Sequence, residues 1–323
     1  MIVVLGGVQA QVRIDMTMPK APNENDIAPE VSPWEREAYG EGGRFGSMTG
    51  IPSGDPSKDK ISVTFAGCGF TVAKKLAAAG EEVRFIGLVG DDSLGMAALA
   101  DLEKAGVDTS QVIRGREQTS VRITAKNFLG DVEFARVDER IVDEFDVGKI
   151  AEKSGLIGEA DLVFADGNIP EETLKAAGDM CRDKEVPLYF DPSSMEGATR
   201  GAAALGSFTG IMPGRMEAEA MAGLEILSPE QMDEAATYFE EKGVRRIMIT
   251  IKGGGIFYKE GENSGIIRPE RVIKYAETSG AGDLVSAAAV LAFARGENNE
   301  EAAKSGMDAA ADFLADVVDE RKY

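Results

Sequence analysis

Residues 277–283 read ETSGAGD, and they run directly into LVSAAAVLAFARG. Two glycines bracket an alanine, a carboxylate closes the run, and a long apolar helix begins. Gly280, Ala281 and Gly282 carry so little side chain that successive backbone N–H groups can converge on one point. The helix starting near Asp283 aims the positive end of its dipole at that same point. Such a hollow suits a phosphoryl group, with Asp283 beside the anion and able to take a proton from an attacking hydroxyl. A glycine turn followed by an Asp N-cap accounts for the same residues without any chemistry. Local spacing does not separate the two.

Composition narrows the classes. At 323 residues the chain can bury a large core, in one big domain or two ordinary ones. Its 56 acids against 35 bases give a formal net charge of -21, a field that repels polyanions, so a nucleic-acid partner is not expected. A small anion held by backbone dipoles remains compatible with that field. The chain has no histidine, so proton transfer falls to a carboxylate, lysine, tyrosine or cysteine, and a Ser-His-Asp mechanism is excluded. No apolar run approaches the roughly 20 residues that span a membrane. The start, MIVVLGGVQA, lacks a basic n-region and reads as a first strand. Cys68 and Cys181 have no metal spacing and suggest no disulfide framework, which points to a reducing cytoplasm.

Outward from the opening stretch, strands alternate with helices of 10 to 15 residues. DLVFADGN, VPLYFDPSS and RRIMITIKGGG read as strands, each preceded by an amphipathic helical stretch, with the hairpin-like pair GIFYKEG and SGIIRPE after the last. Upstream, ISVTFAG and EEVRFIGLVG read as strands around the helix FTVAKKLAAAG, with Gly80 as its C-cap. DVGKIAEKSGLIGEA reads as one helix. This pattern predicts a mainly parallel α/β sheet with helices on both faces. Ligands in such sheets sit beyond the carboxyl ends of the strands. VLGG, TFAGCG, FADGN, YFDPSS, MPGRMEAE and TIKGGG all fall at that edge. From about Asp15 to Lys60 the chain is rich in Pro, Gly and charge, as befits a lid, an insertion or a mobile segment.

AGCGFTVA contains Gly67-x-Gly69 between a strand and a helix, with Asp91 and Asp92 about 20 residues on. That is part of a dinucleotide fingerprint. Val72 stands where the third small residue belongs, and the acids follow a further GLVG segment instead of ending the second strand. The match is weak.

Taken together, these motifs resemble those of the ribokinase-like (PfkB) carbohydrate kinases. ETSGAGD is similar to the family's D-T-x-G-A-G-D signature, with Glu277 for the first acid. AGCGFTVAKKLAAAGEEVRFIGLVGDDSLGMAALADLEKAGVDTSQV is similar to its N-terminal signature, and GNIPEETLKAA, VPLYFDPSS, MPGRMEAEAMAG and IMITIKGGGIFY fall in family order. The resemblance covers nearly all of the chain except about 15 to 60 and displaces the dinucleotide reading. It implies an ATP-dependent kinase acting on a hydroxyl of a sugar or nucleoside, with magnesium, with a monovalent cation left open, and with two chains paired as a homodimer. It also implies a large α/β domain of residues 1–11, 61–118 and 138–323 and a small β-rich lid of 12–60 and 119–137. GNIPEETLK, VPLYFDPSS and MPGRMEAEAMAG lean slightly toward the pseudouridine kinase branch.

Carried over by position, Asp283 is the implied catalytic base and Gly280, Ala281 and Gly282 the anion hole. Lys252, Gly253, Gly255 and Thr278 fall along the nucleotide. Gln9, Gln11, Gly67, Cys68, Thr71 and Asn168 fall on the substrate side, and Glu217 and Asp191 near magnesium, through water. Plainer roles fit some of these residues too: strand-end polarity for Gln9 and Gln11, a turn for Asn168 and Asp166, small-residue packing for Cys68. The chain also departs from the pattern. Gln11, Ala66 and Thr71 replace acceptor-side Asp, Gly and Asn, and Gly214 and Lys252 replace an Asn and a Gly near magnesium and phosphate. A non-catalytic sugar- or nucleoside-binding descendant of the fold is the alternative those departures suggest.

Overall fold

A computed structural model of the chain describes residues 1–17, 58–127, 131–269 and 280–320, the last five as backbone. Thr278, Glu277 and most of the 12–60 insertion therefore lie outside the described residues. The chain forms two compact units. One comprises Met1–Gln9, Phe65–Ser120 and Glu139–Tyr323; the other comprises Ala10–Thr64 and Val121–Asp138.

In chain order the first elements are β1 (Ile2–Leu5), β2 (Gln9–Asp15), β3 (Lys60–Ala66), α1 (Cys68–Ala78), β4 (Val83–Ile86) and β5 (Leu88–Gly90). Next come α2 (Ser93–Lys104), β6 (Ile113–Gly115), β7 (Ser120–Lys126) and β8 (Val132–Asp138). The second half alternates α3 (Val147–Ala151), α4 (Ser154–Gly158), β9 (Leu162–Asp166), α5 (Glu171–Asp183), β10 (Leu188–Asp191) and α6 (Met195–Ala202). It closes with β11 (Gly210–Ile211), α7 (Arg215–Ala222), α8 (Pro229–Glu241), β12 (Arg246–Ile251), β13 (Gly255–Glu260), β14 (Asn263–Ile267), α9 (Ala281–Ala294) and α10 (Asn299–Glu320).

The larger unit is built on an eight-stranded sheet ordered β14-β13-β12-β11-β10-β9-β1-β4. From β4 to β12 the pairs are parallel; β13 and β14 join antiparallel. All four side chains of β1 are buried. Ile2 and Val4 enter one apolar cluster, with Phe70 and Leu76 of α1 and Val290 of α9, while Val3 and Leu5 enter the other, with Leu174 of α5 and Phe239 of α8. A strand without polar alternation is what a sheet covered on both faces requires.

Three local departures from the sequence reading have visible causes. EEVRFIGLVG is two strands, because the chain breaks at Gly87, where a Cβ would stand 2.6 Å from the Gly6 carbonyl oxygen. Its second half, β5, pairs with β6 in a separate two-stranded ribbon. The stretch 147–158 is two short helices, and α6 is a helix in a stretch the sequence leaves unassigned. Gly197 and Gly201 weaken the propensity of α6, yet each is needed: a Cβ would sit 1.9 Å from the Pro192 carbonyl oxygen at Gly197 and 2.3 Å from the Phe190 ring at Gly201. Tertiary approach overrides propensity there. α1 ends at Ala78, with Gly80 at φ 91° in the left-handed region just beyond it.

The smaller unit contains most of a four-stranded sheet ordered β3-β2-β7-β8. β7 and β8 run antiparallel, Val121 opposite Asp138, with an irregularity between Ala125 and Lys126. Ile61 and Val63 on β3, and Val132, Phe134 and Val137 on β8, are exposed apolar side chains. Gln9 and Gln11 do not end β1 as the resemblance suggests. The chain leaves β1 at Gly6-Gly7, and both glutamines belong to β2. Among the described residues no helix is long and apolar enough to cross a membrane.

Candidate active site

The carboxyl ends of β1, β9 and β10 and the N-terminal turns of α1, α7 and α9 carry the site, all within the larger unit. At α9 the N-cap is Gly280, at φ 89°. That left-handed conformation is open to glycine and strained for other residues. Its carbonyl accepts the first helical bond, from Leu284 N at 3.3 Å. The N–H groups of the first turn have no partner within the helix. Among the described residues a Cβ built on Gly282 would meet nothing within 4 Å, so no described atom crowds those donors.

Asp283, on this first turn, is half-buried, and the Cys68 thiol and the Thr71 hydroxyl of α1 lie near enough to favour its ionised form. Burial, then the nearby charge of Asp166, raises its pKa from 3.8 to about 6, against the pull of the nearby Cys68 and Thr71 side chains and with a smaller push from Glu217. Cys68 is buried at 2% exposure, and burial beside Asp191, Asp283 and Asp166 pushes its thiol well above the usual range. It is a protonated thiol near the carboxylate, not a reactive thiolate.

Asp191 closes β10. Its Oδ1 accepts from Ser193 N at 2.8 Å and its Oδ2 from the Ser286 hydroxyl. Burial, then Glu217, raises it to about 8, partly offset by the Ser286 bond. Ser193 reaches this position with φ 59°, a conformation side-chain-bearing residues rarely adopt. Ser286 is a link that ETSGAGD alone does not reveal, although a lone hydroxyl three residues after Asp283 in an apolar helix was its signal.

Glu217 is the third residue of α7 and reaches back to the N–H of Gly214 at 2.7 Å. This is half of a capping box, since Gly214 has no side chain to return the bond. Burial raises the Glu217 pKa. Buried Asp191 and half-buried Glu217 thus bring hard oxygen donors together, the Glu217 charge raising Asp191. That chemistry fits a hydrated magnesium ion. Among the described residues no three carboxylate, cysteine or histidine side chains come together for direct ligation of a metal.

The remaining candidates separate clearly. Gly67, at φ 137°, packs so tightly that a Cβ would lie 2.4 Å from the Gly7 carbonyl oxygen. Asn168 donates its N–H to Asp166 Oδ1 at 2.9 Å. Lys252 and Gly253 are exposed in the turn between β12 and β13. Gly255 has its own structural reason, because a Cβ there would stand 2.1 Å from the Ile267 carbonyl oxygen of β14. Gln9 is half-buried at the start of β2, and Gln11 belongs to the smaller unit. Asp92, the acid of the partial dinucleotide pattern, caps α2 through Gly95 N at 2.7 Å and holds Thr119 N at 2.7 Å. These bonds leave it a structural residue.

The sequence profile of the pfkB family carbohydrate kinases matches residues 49–313. The chain belongs to that family. It is a kinase, a phosphotransferase with an alcohol group as acceptor. Among pfkB relatives, pseudouridine kinase of Escherichia coli is 28% identical over 237 residues, 72% of this chain and 74% of that protein. Guanosine-inosine kinase of Exiguobacterium acetylicum is 27% identical over 267 residues, 80% of this chain and 87% of that protein. Ribokinase of Haemophilus influenzae is 24% identical over 252 residues, 77% and 80% of the two chains. In fold, Arabidopsis thaliana ribokinase, solved with ribose and ATP, superposes with a TM-score of 0.76 at 19% identity, covering 96% of this chain and 90% of that one. A carbohydrate kinase from Agrobacterium tumefaciens does so at 0.75 and 23%, covering 96% and 89%.

Proposed function

We propose that the chain transfers the γ-phosphoryl group of ATP to a primary hydroxyl of a sugar or nucleoside. The observation that carries this reading is Asp283, a carboxylate raised to about 6 on the first turn of α9, behind left-handed Gly280 and beside the space at Gly282. A base whose pKa approaches neutrality is matched to taking a hydroxyl proton. As Asp283 takes that proton, the hydroxyl oxygen attacks the γ-phosphorus and the bond to the bridging oxygen breaks, releasing ADP. The amides of Gly280, Ala281 and Gly282 stabilise the charge that develops on the transferred group. Asp191 and Glu217 would hold magnesium through water, and magnesium supplies neutralisation of phosphate charge.

Other roles follow the resemblance. Lys252, Gly253, Gly255 and Thr278 serve the nucleotide, and Gln9, Gln11, Gly67, Thr71 and Asn168 the acceptor side. Cys68, buried under Asp283, serves the acceptor side by orienting that carboxylate. The smaller unit is assigned the part of a lid that excludes water. Exposed Ile61, Val63, Val132 and Phe134 support pairing of two chains through its sheet. The acceptor lean is toward a nucleoside, supported by relatives named for pseudouridine, guanosine and inosine at 28% and 27% identity.

The test is ADP release with pseudouridine, inosine, guanosine, ribose and fructose, beside Asp283→Asn. Loss of the base should lower kcat by about 10³-fold. Turnover that survives Asp283→Asn would remove the assigned base. Gly214 and exposed Lys252, where the family has Asn and Gly, favour the second reading of a binding-only descendant. Tight binding of a panel member with no ADP release would support it.

A further inference from the structure

Asp166 belongs to none of the roles above, yet it is the most completely enclosed acid near the site, at 0% exposure. Its carboxylate accepts Gly69 N at 2.8 Å, Asn168 N at 2.9 Å and Gly7 N at 3.2 Å. Those three amides belong to three different segments: the exit of β1, the first turn of α1 and the turn after β9. The glycines there leave no room for slack. A Cβ on Gly6 would lie 2.8 Å from Gly69 Cα, and one on Gly69 would lie 3.1 Å from Asp166 Oδ2. The same first turn of α1 carries Cys68 and Thr71, the two side chains whose proximity favours the ionised form of Asp283.

We infer that Asp166 is a positioning residue, which locks the first turn of α1 against β1 and β9 and so holds the Cys68 thiol and Thr71 hydroxyl beside Asp283. A carboxylate fits this task because it offers two oxygens and no hydrogen, so every amide pointing at it finds an acceptor. An amide in its place would turn an N–H toward one of these backbone donors. A buried group facing another donor in this way is costly and loosens the segment that carries it. The inference rests on the kinase reading only where Asp283 is the base; the lock itself is a matter of geometry.

The two cysteines supply a readout. Both are free and buried, Cys68 on the locked turn and Cys181 on α5 in the other apolar cluster. In Asp166→Asn, iodoacetamide labelling followed by peptide mass spectrometry should show Cys68 modified at least tenfold faster, with Cys181 unchanged. With ATP and whichever panel acceptor supports turnover, kcat should fall about tenfold or more while the KM for ATP stays within twofold. Gly69→Ala, which crowds the same carboxylate, should reproduce both effects. Equal acceleration at both cysteines, or at neither, would overturn the assignment, as would unchanged kcat. If the unmodified chain turns over none of the panel, the kinase reading fails, and the labelling pattern alone decides the role of Asp166.

Discussion

Asp283 sets the pH behaviour expected of the site. In the free enzyme its carboxylate titrates near 6, so kcat/KM should fall as pH drops through that value, measured as initial ADP release from pH 5 to 8. The same shift has a stability consequence of opposite sense. The folded chain holds this proton up to about 6, whereas an unfolded aspartate loses it near 3.8. The stability favouring the folded state is therefore fully present below 3.8 and lost as pH rises through 6. Asp283→Asn removes the ionised form, and at pH 7.5 it should stabilise the empty protein by about 1–2 kcal/mol. Thermal melts should show that gain shrinking toward pH 4, and a loss of stability at pH 7.5 would contradict the buried-charge account. Gly282 separates function from folding in the same way. A methyl group there meets no atom of the described residues and adds helix propensity, so Gly282→Ala should raise stability by about 0.5–1 kcal/mol. It also projects into the space assigned to the phosphoryl group, and kcat should fall. Unchanged turnover would place the transferred group elsewhere.

At the scale of elements, the long helices were legible because burial of one face imposes period 3.6, and the strands because burial on both faces makes them short continuous apolar runs. β9, β10, β12, α5 and α8 lie where DLVFADGN, VPLYFDPSS, RRIMITIKGGG and the helical stretches before them placed strands and helices. Other features had no local signal. α6 hides behind two glycines whose reason is the Pro192 carbonyl and the Phe190 ring, neither of which is a sequence neighbour within the helix. The break at Gly87 depends on the Gly6 carbonyl, and the move of Gln9 and Gln11 into β2 depends on which sheet receives the chain after Gly7. Phe190 shows what a legible core position contributes. It is fully buried on β10 and stacks on Phe208 with ring centroids 4.5 Å apart. Phe190→Ala should cost about 3–5 kcal/mol, the lost burial of the ring plus the cavity left beside Phe208 and Gly201. Urea midpoints would show this, and a cost below 1 kcal/mol would mean that β10 repacks.

For the whole molecule, the site was legible in proportion to how local its parts are. The run from Gly280 to Asp283 is contiguous, and its chemistry follows from spacing and a helix dipole. Asp166 is the converse case, because its partners Gly7, Gly69 and Asn168 meet only when β1, α1 and β9 assemble. Charge acts over the full chain and was readable from composition alone. The net charge of -21 sits on a molecule whose described ion pairs lie largely at its surface and contribute little individually. Like charge repels over the Debye length, about 30 Å at 0.01 M salt and about 8 Å at 0.15 M. Self-repulsion in the compact state should therefore weaken as salt rises, while the expanded chain, with its charges farther apart, gains less. The thermal midpoint in choline chloride should rise by several degrees between 0.01 and 0.15 M and then level off. Choline is chosen because it does not compete for the carboxylates at the site, so the rise reports screening alone. A flat or falling midpoint would show that the acids are already paired well enough for the net charge to carry no folding cost.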